Sequence, residues 1–171
     1  MKSLPSQTLP ISVLRSEPIL KLSYEAVYNM LKAKNFFDRE KNETGTGLDN
    51  KFEPYGRKQV IDKATGLVWQ ESGSVNAMTY ADAERYVFNL RSQHFAGFHD
   101  WRLPTLEEAM SLMKPERKNR NLYIDPIFDR GQSWIWTSDL ANVGLVWVVY
   151  FSYGDCGIDT VKGTNFVRVV R

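Results

Sequence analysis

An α+β fold is predicted for this chain by three observations: helix-start signatures at Thr79 and Thr105, compact β-branched and aromatic runs near the C-terminus, and long stretches between them rich in Gly, Asn and Asp. The helices are expected to lie against a small antiparallel sheet that carries long loops. At 171 residues the chain is long enough for one full core and short for two. Apolar residues make up 43% and aromatics 13%, so an ordered, aromatic-rich core is expected.

A proline-spaced lead, with Pro5, Pro10 and Pro18, precedes Ser23, which caps a predicted helix from Tyr24 to about Ala33. Tyr24, Val27, Tyr28 and Leu31 share one face of it. Asn42 to Gly56 reads as a surface loop, dividing an N-terminal arm (1–56) from a main domain (57–171). Within the main domain, 58–62 and 66–70 form a predicted hairpin with Gly66 in its turn, and Trp69 faces the core. Thr79 with Asp82 starts a helix to about Arg91 whose apolar positions are Tyr80, Ala83, Val87 and Leu90. Thr105 and Glu108 satisfy a capping box, so a third helix is expected from Leu106 to about Met113, stopping before Pro115. The segment 114–132 lacks periodicity and is expected to be a long loop pinned by Tyr123, Ile124, Ile127 and Phe128. The runs 134–137, 145–151 and 166–171 are expected as successive antiparallel strands.

Composition also limits function. Twenty-two Lys and Arg against twenty Asp and Glu leave a net charge of +2, too balanced for nucleic acid or an anionic membrane as the main partner. The single Cys156 excludes an internal disulfide and any multi-cysteine zinc site. No run approaches the ~18 apolar residues of a membrane span, and the opening segment lacks a secretory core. A cytoplasmic location is therefore expected for the chain as written, or a cell-surface or periplasmic one for a chain trimmed of its leader.

The order of motifs is more specific than any one of them. Asp62-x-x-Thr65-Gly66-Leu67-x-Trp69 is followed by Thr79-Tyr80-x-x-Ala83 and by Gly97-Phe98-x-Asp100-Trp101-Arg102-Leu103-Pro104-Thr105-x-Glu107-Glu108. Then come Trp136-Thr137-Ser138, Trp147-Val148-Val149-x-Phe151-x-x-Gly154 and Val167-Arg168-x-Val170-Arg171. From about Val60 to Arg171 this succession resembles the domain that ends the Legionella collagen-like adhesin, a bacterial domain of largely unassigned function. That domain is similar in turn to the C-type-lectin-like and formylglycine-generating-enzyme-like superfamily. The resemblance implies a lectin-like core of two main helices and a small twisted sheet, with a loop face that binds something. The N-terminal arm lies outside it.

Formylglycine-generating chemistry needs a pair of cysteines, and one is present, so that activity does not carry over. Cys156 is expected in a turn between strands, as a small tolerated residue or an exposed thiol. His94 and His99 do not have a helix-face metal spacing. The only nucleophile and base combination is Ser138-Asp139 with either histidine, and it lacks an elbow motif. Glu107 and Glu108 project about 100 degrees apart on a helix and do not form a facing carboxylate pair.

A noncatalytic recognition role is the expectation, exerted by loops between Lys114 and Asp159 on a glycan, a polyanion or a protein partner. Arg117, Lys118 and Arg120, with Lys114, make a local positive patch. Tyr150 and Tyr153 suit a wet binding surface, and Asp139 and Asp155 complete the ligand-binding set. No cofactor is required, although calcium has candidate oxygens on Asp125, Asp129, Asp139, Asn142, Asp155 and Asp159. Trp69, Asp100, Trp101, Arg102, Thr105, Glu108, Trp147 and Arg168 are expected to be structural. An enzyme using the loop pocket, or an assembly domain that forms homo-oligomers, are the alternatives.

Overall fold

The computed structural model describes residues 13–171; the first twelve residues of the arm lie outside the described part. The order of elements is α1 (Tyr24–Ala33), β1 (Phe52–Pro54), β2 (Gln59–Asp62), β3 (Val68–Gln70), α2 (Tyr80–Ser92), a 3-10 turn (Phe95–Gly97), α3 (Leu106–Met110), β4 (Trp134–Asn142), β5 (Leu145–Tyr150) and β6 (Asp155–Thr160). The fold is α+β with two three-stranded antiparallel sheets, ordered β1-β2-β3 and β4-β5-β6.

The helix starts follow their caps. Ser23, Thr79 and Thr105 each accept a backbone N–H from three residues on, and Thr105 with Glu108 forms the reciprocal box. α3 is shorter than its apolar spacing predicts. It ends at Met110, and Leu112 and Met113 continue into the core as turn residues. In α1 the expected face splits: Val27 and Leu31 are buried, while Tyr24 and Tyr28 are 62% and 47% exposed. Residues four apart lie along a ridge, and only its inner side meets the core.

Two departures concern the sheets. Instead of one sheet there are two, and β1 emerges from the predicted surface loop to pair with β2. The third place beside β5 is taken by β6, not by 166–171. Gly154, at φ 81°, turns the chain sharply after β5, so pairing resumes at once with Asp155 opposite Tyr150. Segment 166–171 instead bridges both sheets. Phe166 bonds Trp136 and Trp134, Val170 exchanges both backbone bonds with Arg102, and Arg171 exchanges both with Val68.

This girdle explains the strand sequences. Ile135, Trp147 and Val149 enter one hydrophobic cluster with Trp69, Leu106 and α1, while Trp136, Val146 and Val148 enter a second with Trp101, Val87 and Val169. The second sheet is buried on both faces, so β5 reads as an unbroken apolar run rather than an alternating one. Its outer edge at β4 is closed by three different segments: Phe166 at Trp136, Pro104 at Ser138, and Ile19 with Leu22 at Leu140.

Candidate functional site

The structural residues form a connected frame. Trp69, Trp101, Trp147, Thr105, Glu108 and Arg168 have no appreciable exposure. Arg102 forks onto Glu108 at 2.7 Å through both terminal nitrogens, and the same carboxylate accepts Thr105 N at 2.9 Å. Two other arginines lie over aromatic rings: Arg168 over Phe128 at 4.8 Å and Arg171 over Phe98 at 3.7 Å. Arg168 donates to the carbonyls of Gln70, Glu71 and Asp129 and to Gln132, tying its own segment to the end of β3 and to the 114–132 loop. Complete burial without a paired carboxylate depresses its basicity to about 10. Asp100 is exposed, and the hydrogen bond from Arg171 at 2.7 Å holds its carboxyl below the usual range.

Asp139 requires a correction. It was expected among loop oxygens available to a ligand or calcium, yet it lies within β4 and is fully buried. Arg15 reaches it at 2.9 and 2.7 Å, and the backbone N–H groups of Ile19 and Leu106 donate to it at 2.7 Å. All four acceptor directions are filled, so no oxygen remains for an external group. Burial alone would lower the Arg15 pKa, but the bond and field of Asp139 outweigh it and raise it. Cys156 also moves: it lies in β6, buried, where its backbone N–H and thiol both face the carboxylate of Asp38. Burial and that carboxylate push the thiol well above its ordinary value.

Of the remaining predicted ligand residues, Arg117 is linked through Tyr123 to the turn at Gly154 that carries Tyr153. Arg117 stands over the Tyr123 ring at 5.3 Å, and that ring stacks on Phe37 at 5.7 Å. Gly154 lies against Tyr123, where an added Cβ would come within 3.1 Å of the ring, and its φ of 81° is a left-handed backbone that favours glycine. Tyr153, the residue before Gly154, is 58% exposed, with its ring 6.0 Å from that of Tyr150. Asp155 begins the next strand, largely buried and 4.0 Å from Arg39. Burial, with Asp38 and Glu40 nearby, raises its carboxyl pKa. Arg117, Lys118 and Arg120 are exposed, and none is paired with a carboxylate among the described residues. Lys114 is set apart from them: half-buried, it donates to Leu48 O and Asn50, and desolvation lowers its pKa.

The other loop oxygens each take part in a local hydrogen bond. Asp125, Asp129 and Asn142 each accept a nearby backbone N–H, and Asp159 accepts from Thr160 N and Asn165. Among the described residues no three His, Cys, Asp or Glu side chains come together as a metal site. His94 and His99 are exposed, their rings 5.8 Å apart. Ser138 donates to Pro104 O, and neither histidine lines the cleft that Ser138 lines.

That cleft, about 670 Å³, lies outside the predicted loops, between the arm at Ser16–Leu20, the outer face of α2, and Arg102–Leu103. Its signal in the sequence was weak because one wall belongs to the arm, and the other joins Tyr80 and Val87, which read as core positions, to Glu84, Phe88 and Arg91 beside them on α2. Asp38 and Asp62 were also missed as organisers: both are fully buried, and each fixes a turn through its carboxylate.

A disulfide-free α+β scaffold of two small sheets, held by buried arginines and capped helices and presenting cationic and aromatic loops, is the class of domain that this geometry defines. The chain belongs to the family of the Lcl C-terminal domain, a bacterial adhesin-associated family that matches residues 58–171. No curated protein matches it. Among the described residues no helix is long and apolar enough to cross a membrane.

Proposed function

We propose that this domain is a noncatalytic recognition module that binds an anionic glycan or comparable polyanion through its loop face. The observation that carries the reading is Arg117 over the ring of Tyr123, which lies against Gly154 in the turn that exposes Tyr153, with Lys118 and Arg120 exposed and without carboxylate partners among the described residues. Guanidinium groups fork onto sulfate or carboxylate oxygens, and an exposed tyrosine face supports a pyranose ring. Stacking on Tyr123 limits the freedom of Arg117 before binding, which reduces the entropy lost on association. No cofactor takes part in this scheme, and added calcium or chelator leaves affinity unchanged. The relation to lectin-like folds belongs to the same proposal: a rigid core with long loops as its binding surface.

Calorimetric titration with a heparin octasaccharide tests it. The expected result is salt-sensitive binding that weakens at least tenfold when Arg117→Glu and Lys118→Glu are combined. Undiminished binding by that variant, or none by the parent at low salt, overturns the reading. A protein partner at the same face is the alternative; displacement of a captured protein by mutation of Tyr153 but not by heparin would favour it.

A further inference from the structure

The cleft beside α2 carries a pattern unrelated to the basic loop face. Tyr80, Glu84, Val87, Phe88 and Arg91 all line it, and their spacing of three and four places them along one side of the helix. With a rise of 1.5 Å per residue, Glu84 and Arg91 stand about 10 Å apart along the axis, and Phe88 lies between them. Phe88 is 67% exposed, and Leu20 on the opposing arm is 68% exposed. Large apolar side chains left this open on two walls of one concavity mark an interaction site more than a free surface.

The charged groups at the two ends are available. The Nε of Arg91 is tied to the carbonyl of Trp101, which orients the guanidinium and leaves both terminal nitrogens for a carboxylate. Glu84 is exposed, and the neighbouring Arg85 is drawn to Asp82 instead. Burial, with Glu84 and Asp139 nearby, pushes the Tyr80 phenol up to about 12, so it stays a neutral hydrogen-bond donor on the cleft wall. The stripe therefore reads acceptor, apolar, cation. A volume of about 670 Å³ lies within the usual range of ligand sites.

An extended polyproline-II peptide has three residues per turn and rises about 3.1 Å per residue, so residues three apart face the same wall about 9 Å from each other. That repeat matches the separation of Glu84 and Arg91. We propose that this cleft docks an extended segment of a partner protein bearing a basic residue and, three positions on, an acidic one, with apolar residues between. The basic group meets Glu84, the acidic group meets Arg91, and the apolar side chains lie between Phe88 and Leu20. Grooves walled by exposed aromatic residues take such peptides because the ligand is already extended and loses little entropy.

The test uses the full chain and two labelled peptides, acetyl-Pro-Lys-Leu-Pro-Glu-Pro-amide and its counterpart with Glu in place of Lys. Fluorescence anisotropy should show the mixed-charge peptide binding about tenfold more tightly, as expected for one added ion pair in a partly desolvated groove. Glu84→Lys should reverse that preference, and Phe88→Ser should weaken both peptides about tenfold. Both substituted residues are exposed, so the variants are expected to keep the parent's melting temperature. Backbone amide shifts should move along α2 and the arm at 16–20. The proposal fails if neither peptide binds at millimolar concentration, if Glu84→Lys leaves the preference unchanged, or if the shifts fall on the loop around Arg117.

Discussion

Arg102 and Glu108 meet as a two-pronged pair, with Nη1 to Oε2 and Nη2 to Oε1 both at 2.7 Å, across the N-terminus of α3. The glutamate is fully buried and also caps the helix through Thr105 N, so one carboxylate joins an ion pair to a helix start. Replacing Arg102 with Ala leaves that buried charge with one donor. The expected loss is about 3 kcal/mol, measured by urea unfolding. A loss below about 0.5 kcal/mol, the range of an ordinary surface change, would show that the pair does not hold the helix in place.

The arm and the family-matched region share one core. Val27, Leu31 and Phe36 pack in the cluster of Trp147, and the indole N–H of Trp147 donates to Leu22 O at 2.9 Å. A chain beginning at residue 58 would strip that indole of its acceptor and Asp139 of Arg15. Such a fragment is expected to lose cooperative thermal unfolding and to bind a hydrophobic dye. A sharp two-state transition in it would mean that the arm is dispensable.

Asp139→Ala offers a narrower probe of the same joint. It leaves the Leu106 and Ile19 N–H groups without their acceptor and takes from the Arg15 guanidinium its buried carboxylate partner. A loss of about 3–5 kcal/mol is expected, and Asp139→Asn should recover part of it. Equal stability of the Ala and Asn variants would exclude the hydrogen bonds as the cause.

Asp155 carries a pH dependence with a definite sign. Its carboxyl pKa is raised by burial and by Asp38 and Glu40, so the native state binds this proton more tightly than the unfolded chain does. The stability it contributes is fully present below the unfolded pKa and is lost as pH rises through the higher folded value. Asp155→Asn should therefore gain stability relative to the parent between pH 4 and pH 7. Parallel stability curves over that interval would remove the effect.

Cys156 should resist thiol reagents until the domain opens. It is 2% exposed and its thiol pKa is well above the ordinary value. Labelling at pH 8 is expected to be at least about a hundredfold slower in the native state than in urea. Comparable rates would mean that β6 separates readily from Asp38.

The caps at Ser23, Thr79 and Thr105 and the 62–67 hairpin turn were legible in the sequence because each depends on residues within a few positions of one another, the buried tryptophans because large aromatic residues on strands favour the core, and the family because its motifs recur in a fixed order. The sequence also marked 166–171 as an extended, apolar segment but misplaced its partners. Its β-branched residues suit any half-buried extended chain, and only closure of the fold made it a girdle between two sheets rather than a third strand. Asp139, a loop-type residue by composition, became the buried anchor of the arm because Arg15 lies 124 positions away. The cleft likewise exists only where the arm crosses α2. Local hydrogen bonding and side-chain period are properties of neighbours in the chain; charge pairing, edge closure and concavity arise between segments distant in sequence, and packing alone brings them together.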